Sequence, residues 1–195
     1  MWEKKQLKGT ELSGKRLGLV GFGRIAQGVA TVATAMGMEC HAYDPYLPSN
    51  IASKFDCTMH DDVDSIFRLC THISIHCNLS EETHHLVNRE RIAMMPTLAP
   101  NGVNCGNHIV NCARGGIVNE DDLIIALSTN EIAGAGLDVY EKEPLPENNK
   151  LRFLPNVLLT PHIGYVTAEN YQIYYSQMIE SLEACVNGKP IRIIE

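Results

Sequence analysis

Three side chains of this sequence suit one reaction. Arg114, Glu143 and His162 each lie just past a short apolar run that reads as a strand, at 109–112, 133–139 and 157–160. In an open parallel sheet, chemistry gathers at the carboxyl ends of the strands, so the three are expected at one pole. Imidazole can take a hydroxyl proton near neutrality. A carboxylate on its other ring nitrogen would fix the tautomer and favour the imidazolium needed for the reverse step. A guanidinium can grip the carboxylate or carbonyl of a 2-oxo acid at two points. The set fits hydride exchange with a 2-hydroxy acid. Singly, each residue has a plainer account: Arg114 as a surface charge, Glu143 as one of several loop acids, His162 as a loop histidine.

Gly21-Phe22-Gly23-Arg24-Ile25-Ala26 has the form G-x-G-x-x-A. It stands between an apolar strand (17–20) and a helical stretch (24–36), with a second strand (39–43) closed by Asp44. That context is what a dinucleotide-binding turn requires. Gly21 would allow the tight turn, Gly23 would let a diphosphate approach the backbone, and Ala26 is small enough for helix–strand contact. The diphosphate would rest on the N–H groups of Arg24 and Ile25 at the positive end of the helix dipole. Asp44 would accept the adenosine ribose hydroxyls and repel a 2′-phosphate, and no arginine follows it in Pro45-Tyr46-Leu47-Pro48. NAD is therefore favoured over NADP.

These residues need a scaffold of alternating strands and helices. Further strand patterning occurs at 71–76, and helical patterning at 61–69, 88–95, 120–127 and 168–187. Ile25, Val29, Val32 and Met36 recur at intervals of three and four, as do Tyr171, Tyr174, Met178, Leu182 and Cys185 before Gly188. The alternation predicts an α/β chain with a doubly wound parallel sheet and helices on both faces. Residues 96–108 fit poorly, with Pro96, Pro100, the Asn101-Gly102 turn and Gly106 interrupting the alternation.

At 195 residues the chain is long enough for one ample domain. A net charge of −7 argues against a nucleic-acid partner, and Lys4, Lys5 and Lys8 are too few to form a basic arm. No apolar run approaches a membrane span or a signal-peptide core, so the expected location is cytoplasmic. Seven cysteines without a C-x-x-C are expected as reduced, mostly buried thiols. His72 and His76 would be ~13 Å apart on a strand, too far to share a metal, so no metal site is expected. His84-His85, after the turn Ser80-Glu81-Glu82-Thr83, reads as a solvated loop pair.

Four blocks carry a resemblance: Gly9-Thr10-Glu11-Leu12 leading into the glycine turn, Asn111-Cys112-Ala113-Arg114-Gly115-Gly116, Leu137-Asp138-Val139-Tyr140-Glu141-Lys142-Glu143-Pro144, and Thr160-Pro161-His162-Ile163-Gly164. With these, the chain resembles the nucleotide-binding domain of the D-isomer-specific 2-hydroxyacid dehydrogenases, particularly phosphoglycerate dehydrogenase-like members. The resemblance implies a Rossmann-type fold spanning 1–195 as one domain, with 1–15 as a linker and 167–195 as a C-terminal helix and tail. It makes Arg114 the substrate-binding arginine, His162 the acid/base and Glu143 its partner. It places Arg24, Ile25, Asp44, Cys77, Cys112, Ala113, Arg114, His162 and Gly164 against NAD, and Asp138 at the nicotinamide carboxamide. The family usually dimerises through this domain, so a homodimer is expected.

Family enzymes also carry a substrate domain, built largely from residues preceding this segment. Its absence here implies NAD(H) binding with slow turnover, or none, unless a partner supplies the other half. Residues 96–108 are longer than the family's usual approach to the strand before Arg114, and Ala26 replaces the third glycine. Asp44-Pro45-Tyr46-Leu47, His76-Cys77-Asn78-Leu79 and His84-His85-Leu86-Val87-Asn88 also resemble the C-terminal-binding protein corepressors, which would make the chain an NAD(H)-sensing module. Those proteins carry a tryptophan where this chain has Tyr165. An inactive fragment is the third alternative.

Overall fold

The computed structural model describes residues 9–193, so Lys4, Lys5 and Lys8 lie outside the described residues. Seven short strands form one sheet: β1 (Arg16–Val20), β2 (Glu39–Tyr43), β3 (Cys57–His60), β4 (His72–Ile75), β5 (His108–Asn111), β6 (Gly134–Leu137) and β7 (Val157–Leu159). Their order is β3-β2-β1-β4-β5-β6-β7, with every neighbouring pair parallel. The chain builds outward from β1 to β3, then returns to lay β4 on the other side of β1. That reversal opens a crevice at the carboxyl ends of β1 and β4, where ligands of such sheets bind.

Apolar residues on both faces explain why these short runs became buried parallel strands. One face, with Val20, Ile73, Ile75, Ile109 and Leu137, packs beneath α2 (Val63–Leu69), α3 (Arg89–Met94) and α4 (Glu120–Ser128) through Ile66, Phe67, Ile92, Leu123 and Leu127. The other face, with Leu17, Leu19, Cys40 and Ala42, receives α1 (Arg24–Ala35). Asp62, Asn88 and Asn119 start α2, α3 and α4, each accepting a backbone N–H of the first turn.

Two features go beyond what the sequence pattern specified. The stripe of large residues on α1 faces outward: Ile25, Val32 and Met36 are exposed, while Ala26, Ala30 and Ala33 meet the sheet. Alanine lets the helix lie close to the strands, and the larger side chains have no room beneath it. Strand β3 was not anticipated. Its four mixed residues become a strand through pairing with β2, from Cys40↔Cys57 to Tyr43↔His60.

The irregular 96–108 stretch folds into a small hairpin. Ala99 N–H donates to Val103 O (2.9 Å) and Cys105 N–H to Thr97 O (3.0 Å). It enters at the amino end of β5, which remains paired with both neighbours through Asn111.

Contacts divide the chain into two compact units, Met1–Pro161 and His162–Glu195. The second contains α5 (Ala168–Val186), capped by Thr167. No residue of α5 is buried, so its tyrosine stripe is exposed. Among the described residues, no helix is long and apolar enough to cross a membrane.

Candidate functional site

The glycine turn occupies the crevice. Gly21 has φ +87°, a left-handed conformation that glycine adopts without steric cost. A Cβ there would lie 2.6 Å from the Cys77 nitrogen and 2.8 Å from its Cα, because the chain leaving β4 passes directly against it. Gly23 is the opposite case: it is exposed, and a Cβ would meet nothing within 4 Å. Phe22 is buried between them, its ring edge-on to Phe55. Ala26 is fully buried, as its role in helix–strand contact requires.

Gly23 offers α1 no side-chain cap and the first turn holds no acid, so neither supplies an acceptor to the helix's leading N–H groups. Open space at Gly23 in front of a helix start fits the diphosphate of a dinucleotide.

Asp44 follows β2 at the same pole. Its Oδ2 accepts the Phe22 N–H (2.9 Å) and its Oδ1 the Tyr46 N–H (3.0 Å). The carboxylate thus ties the glycine turn to β2. Each oxygen keeps a second lone pair that a ribose hydroxyl could use.

On the other side of the crevice, Cys77 follows β4 and Cys112, Ala113 and Arg114 follow β5. Burial pushes the Cys77 thiol up to about 11. Burial and the nearby Asp138 carboxylate raise Cys112, so both stay neutral thiols. Asn111, to which the sequence alone assigned no role of its own, shapes the turn before Arg114. Its Oδ1 accepts the Ala113 N–H (3.0 Å) and its amide donates to Arg114 O (2.9 Å). The Arg114 guanidinium donates to Ala113 O (2.6 Å).

Asp138, past β6, is 4% exposed and accepts the Thr160 hydroxyl. Glu143 accepts the Tyr140 N–H at 3.0 Å. The Tyr140 hydroxyl lies 2.8 Å from Thr160 O and 3.1 Å from Leu137 O, its one proton shared between or directed to either carbonyl, and braces the loop that carries Asp138 and Glu143. Gly21, Gly23, Arg24, Ile25, Asp44, Cys77, Cys112, Ala113, Arg114, Asp138 and Glu143 therefore all follow strands β1, β2, β4, β5 and β6 within the first unit. His162 opens the second unit, with φ +56° and its ring edge-on to Tyr165; Gly164 follows it there.

His84 is exposed and His85 half-buried, in the loop where a solvated pair was expected. Their rings stack at 3.9 Å, and half-buried His85 reaches Glu141 Oε1 through Nε2 (2.8 Å). His85 thus has protein partners as well as solvent. His72 stacks on His108, and His76 Nε2 bonds the Ser74 hydroxyl. Among the described residues, no three His, Cys, Asp or Glu side chains are grouped to hold a metal ion.

Comparison with known proteins agrees with this geometry. Residues 1–164 match the family described as D-isomer specific 2-hydroxyacid dehydrogenase, NAD binding domain. The chain is 41% identical over 191 residues to D-3-phosphoglycerate dehydrogenase of Synechocystis sp., covering 98% of this chain and 33% of that protein. It is 43% identical over 183 residues to hydroxypyruvate reductase of Thermotoga maritima, covering 93% and 56% respectively. D-lactate dehydrogenase of Aquifex aeolicus, solved with NAD and lactic acid, superposes with a TM-score of 0.80 at 29% identity, over 94% of this chain and 57% of that one. The chain thus spans between a third and somewhat over half the length of these relatives.

Proposed function

Because this chain belongs to the D-isomer specific 2-hydroxyacid dehydrogenase family, NAD binding domain, we propose that it binds NAD(H) at the β1–β4 crevice. We propose further that it serves as the nucleotide-binding part of an oxidoreductase acting on the CH–OH group of a D-2-hydroxy acid. The observation that carries the cofactor reading is the open, uncapped start of α1 at Gly23, next to the Asp44 carboxylate. The first-turn N–H groups at Arg24 and Ile25 would hold the diphosphate and Asp44 the adenosine ribose. Cys77, Cys112, Ala113 and Gly164 would line the cofactor, and Asp138 would receive the nicotinamide carboxamide.

The bound cofactor would supply hydride acceptance and donation at the substrate carbon. Arg114 would hold the carboxylate or carbonyl of the acid. His162 would take the hydroxyl proton during oxidation and return it during reduction, with Glu143 steadying the imidazolium.

A cytoplasmic location agrees with seven free cysteines, two of which, Cys57 and Cys70, are pushed up to about 12 by burial. A homodimer is supported by the outer face of α1, where Ile25, Val29, Val32 and Met36 line an apolar groove with Leu12. Arg24 is the helix's one charged residue, so two acidic copies meeting there would bring few charges together.

Calorimetric titration tests the cofactor reading. NADH should bind with a Kd at least about tenfold below that of NADPH, the effect of one unfavourable carboxylate–phosphate contact. No heat with either coenzyme at millimolar excess refutes the proposal. Val32→Glu should lower the sedimentation coefficient to that of a monomer; a wild type already monomeric would remove the dimer.

A further inference from the structure

We propose that Glu141 is a positioning residue. Held by His85 and Glu120, it locks the loop carrying Glu143 against the turn carrying Arg114. The inference rests on the reading of Arg114 and Glu143 given above.

Three loops leave the carboxyl pole of β4, β5 and β6. Two of them touch backbone to backbone. A Cβ at Gly115, next to Arg114, would overlap the carbonyl of Tyr140, three residues before Glu143. Contact this close transmits displacement of one loop to the other, so something must set their separation.

Glu141 is placed to do so. Its Oε1 accepts from His85 Nε2 (2.8 Å) and from the Glu120 N–H that begins α4 (3.3 Å). Its own N–H donates to Glu120 Oε2 (3.4 Å), and Glu120 Oε1 accepts the Asn149 amide (2.6 Å). Both ends of the 140–149 segment are thereby tied to α4. A carboxylate acceptor makes such bonds stronger than neutral ones.

His85 supplies the third tie. Its backbone is left-handed, with φ +52°, which costs a non-glycine residue ~1–2 kcal/mol. The conformation is held because His85 N–H donates to Gly116 O (2.9 Å) and Val87 N–H to Ile117 O (3.0 Å). These bonds fasten the loop after β4 to the residues following Arg114. The ring pairing is internally consistent: with the proton on Nε2 facing Glu141, Nδ1 accepts from the Asn119 amide (3.4 Å). Asn119 meanwhile caps α4 with its oxygen. The loops after β4, β5 and β6 therefore share one polar junction on the flank of the site. Glu141, two residues from Glu143, has its carboxylate committed to that junction.

Amide hydrogen exchange tests this on the free chain, without reference to any reaction. Glu141→Ala should speed exchange at residues 139–145 about tenfold, the effect of one lost charge-assisted bond, and leave Ile73 and Ile109 within about twofold. Glu141→Gln, which keeps an acceptor oxygen, should restore protection to within about threefold. His85→Ala should reproduce Glu141→Ala, and the double variant should add little beyond either. Unchanged exchange at 139–145 overturns the proposal. Loosening that spreads equally to β4 and β5 also overturns it, since it marks a general loss of stability.

Reduction of hydroxypyruvate by NADH supplies the second readout. Glu141→Ala should lower kcat about tenfold with the KM for NADH within about twofold, as expected when catalytic geometry rather than cofactor binding is disturbed. A kcat unchanged by Glu141→Ala overturns the positioning role. Where the wild type alone gives no turnover, the exchange comparison decides whether Glu141 holds the loop.

Discussion

Replacing Gly21 and Gly23 separately by alanine should split stability from cofactor binding. At Gly21, alanine must adopt φ +87°, which costs ~1–2 kcal/mol for a residue with a Cβ. Its methyl would also lie 2.6 Å and 2.8 Å from backbone atoms of Cys77. Backbone cannot rotate aside as a side chain can, and such overpacking adds ~1–3 kcal/mol. The combined ~2–5 kcal/mol should lower the midpoint of thermal unfolding by ~10 °C for a chain of this size. At Gly23 the backbone is extended and a Cβ meets nothing within 4 Å. The cost there is only that of alanine at a helix N-cap, ~0.5–1 kcal/mol, or a shift of at most ~4 °C. The same methyl would stand where the diphosphate must approach, so NADH should bind at least ~tenfold more weakly. Calorimetric melts without ligand, combined with NADH titrations, measure both. If Gly21→Ala melts with the wild type, or Gly23→Ala keeps full NADH affinity, the assignment of the crevice is wrong.

Acid should destabilise the chain through its half-buried histidines. Burial, followed by the neighbouring His108 and Lys15 charges, lowers His72 to about 4, and burial lowers His41, His76 and His108 as well. With unfolded values near ~6.5, the unfolded chain takes up protons first. Stability should then be flat above pH ~7 and fall between pH ~6.5 and 4; discounted for solvent screening, His72 contributes ~1–2 kcal/mol of that loss. Urea midpoints across this range check it, and a flat profile rejects it. Asp44→Asn would replace one oxygen that now accepts a backbone N–H with an NH2 group. NADH affinity should fall ~tenfold and the gap to NADPH narrow, which competition titrations would show. Gly115→Ala must separate the Arg114 and Glu143 loops, costing ~3 kcal/mol or more in thermal unfolding because the overlap is with backbone; a wild-type melt contradicts it.

Much of this was written along the chain. The G-x-G-x-x-A turn, the acid closing the next strand, and Arg114, Glu143 and His162 each after an apolar run can be read from local pattern. Each rests on interactions between near neighbours: a turn's allowed dihedrals, a strand's apolar alternation, a helix's first N–H groups. Choices among equivalent candidates belonged to the folded molecule. Periodicity revealed a stripe on α1, but the sheet took the alanines, because close approach excluded isoleucine, valine and methionine from that side. Residues 57–60 are a strand because β2 lies beside them. The sequence offered Glu141 and Glu143 as two acids in one loop; His85, 56 residues before Glu141, separates their roles by occupying one of them. Local sequence limits which conformations and chemistries each segment can offer. Which of them is used depends on neighbours distant in the chain, and those meet only when the sheet assembles.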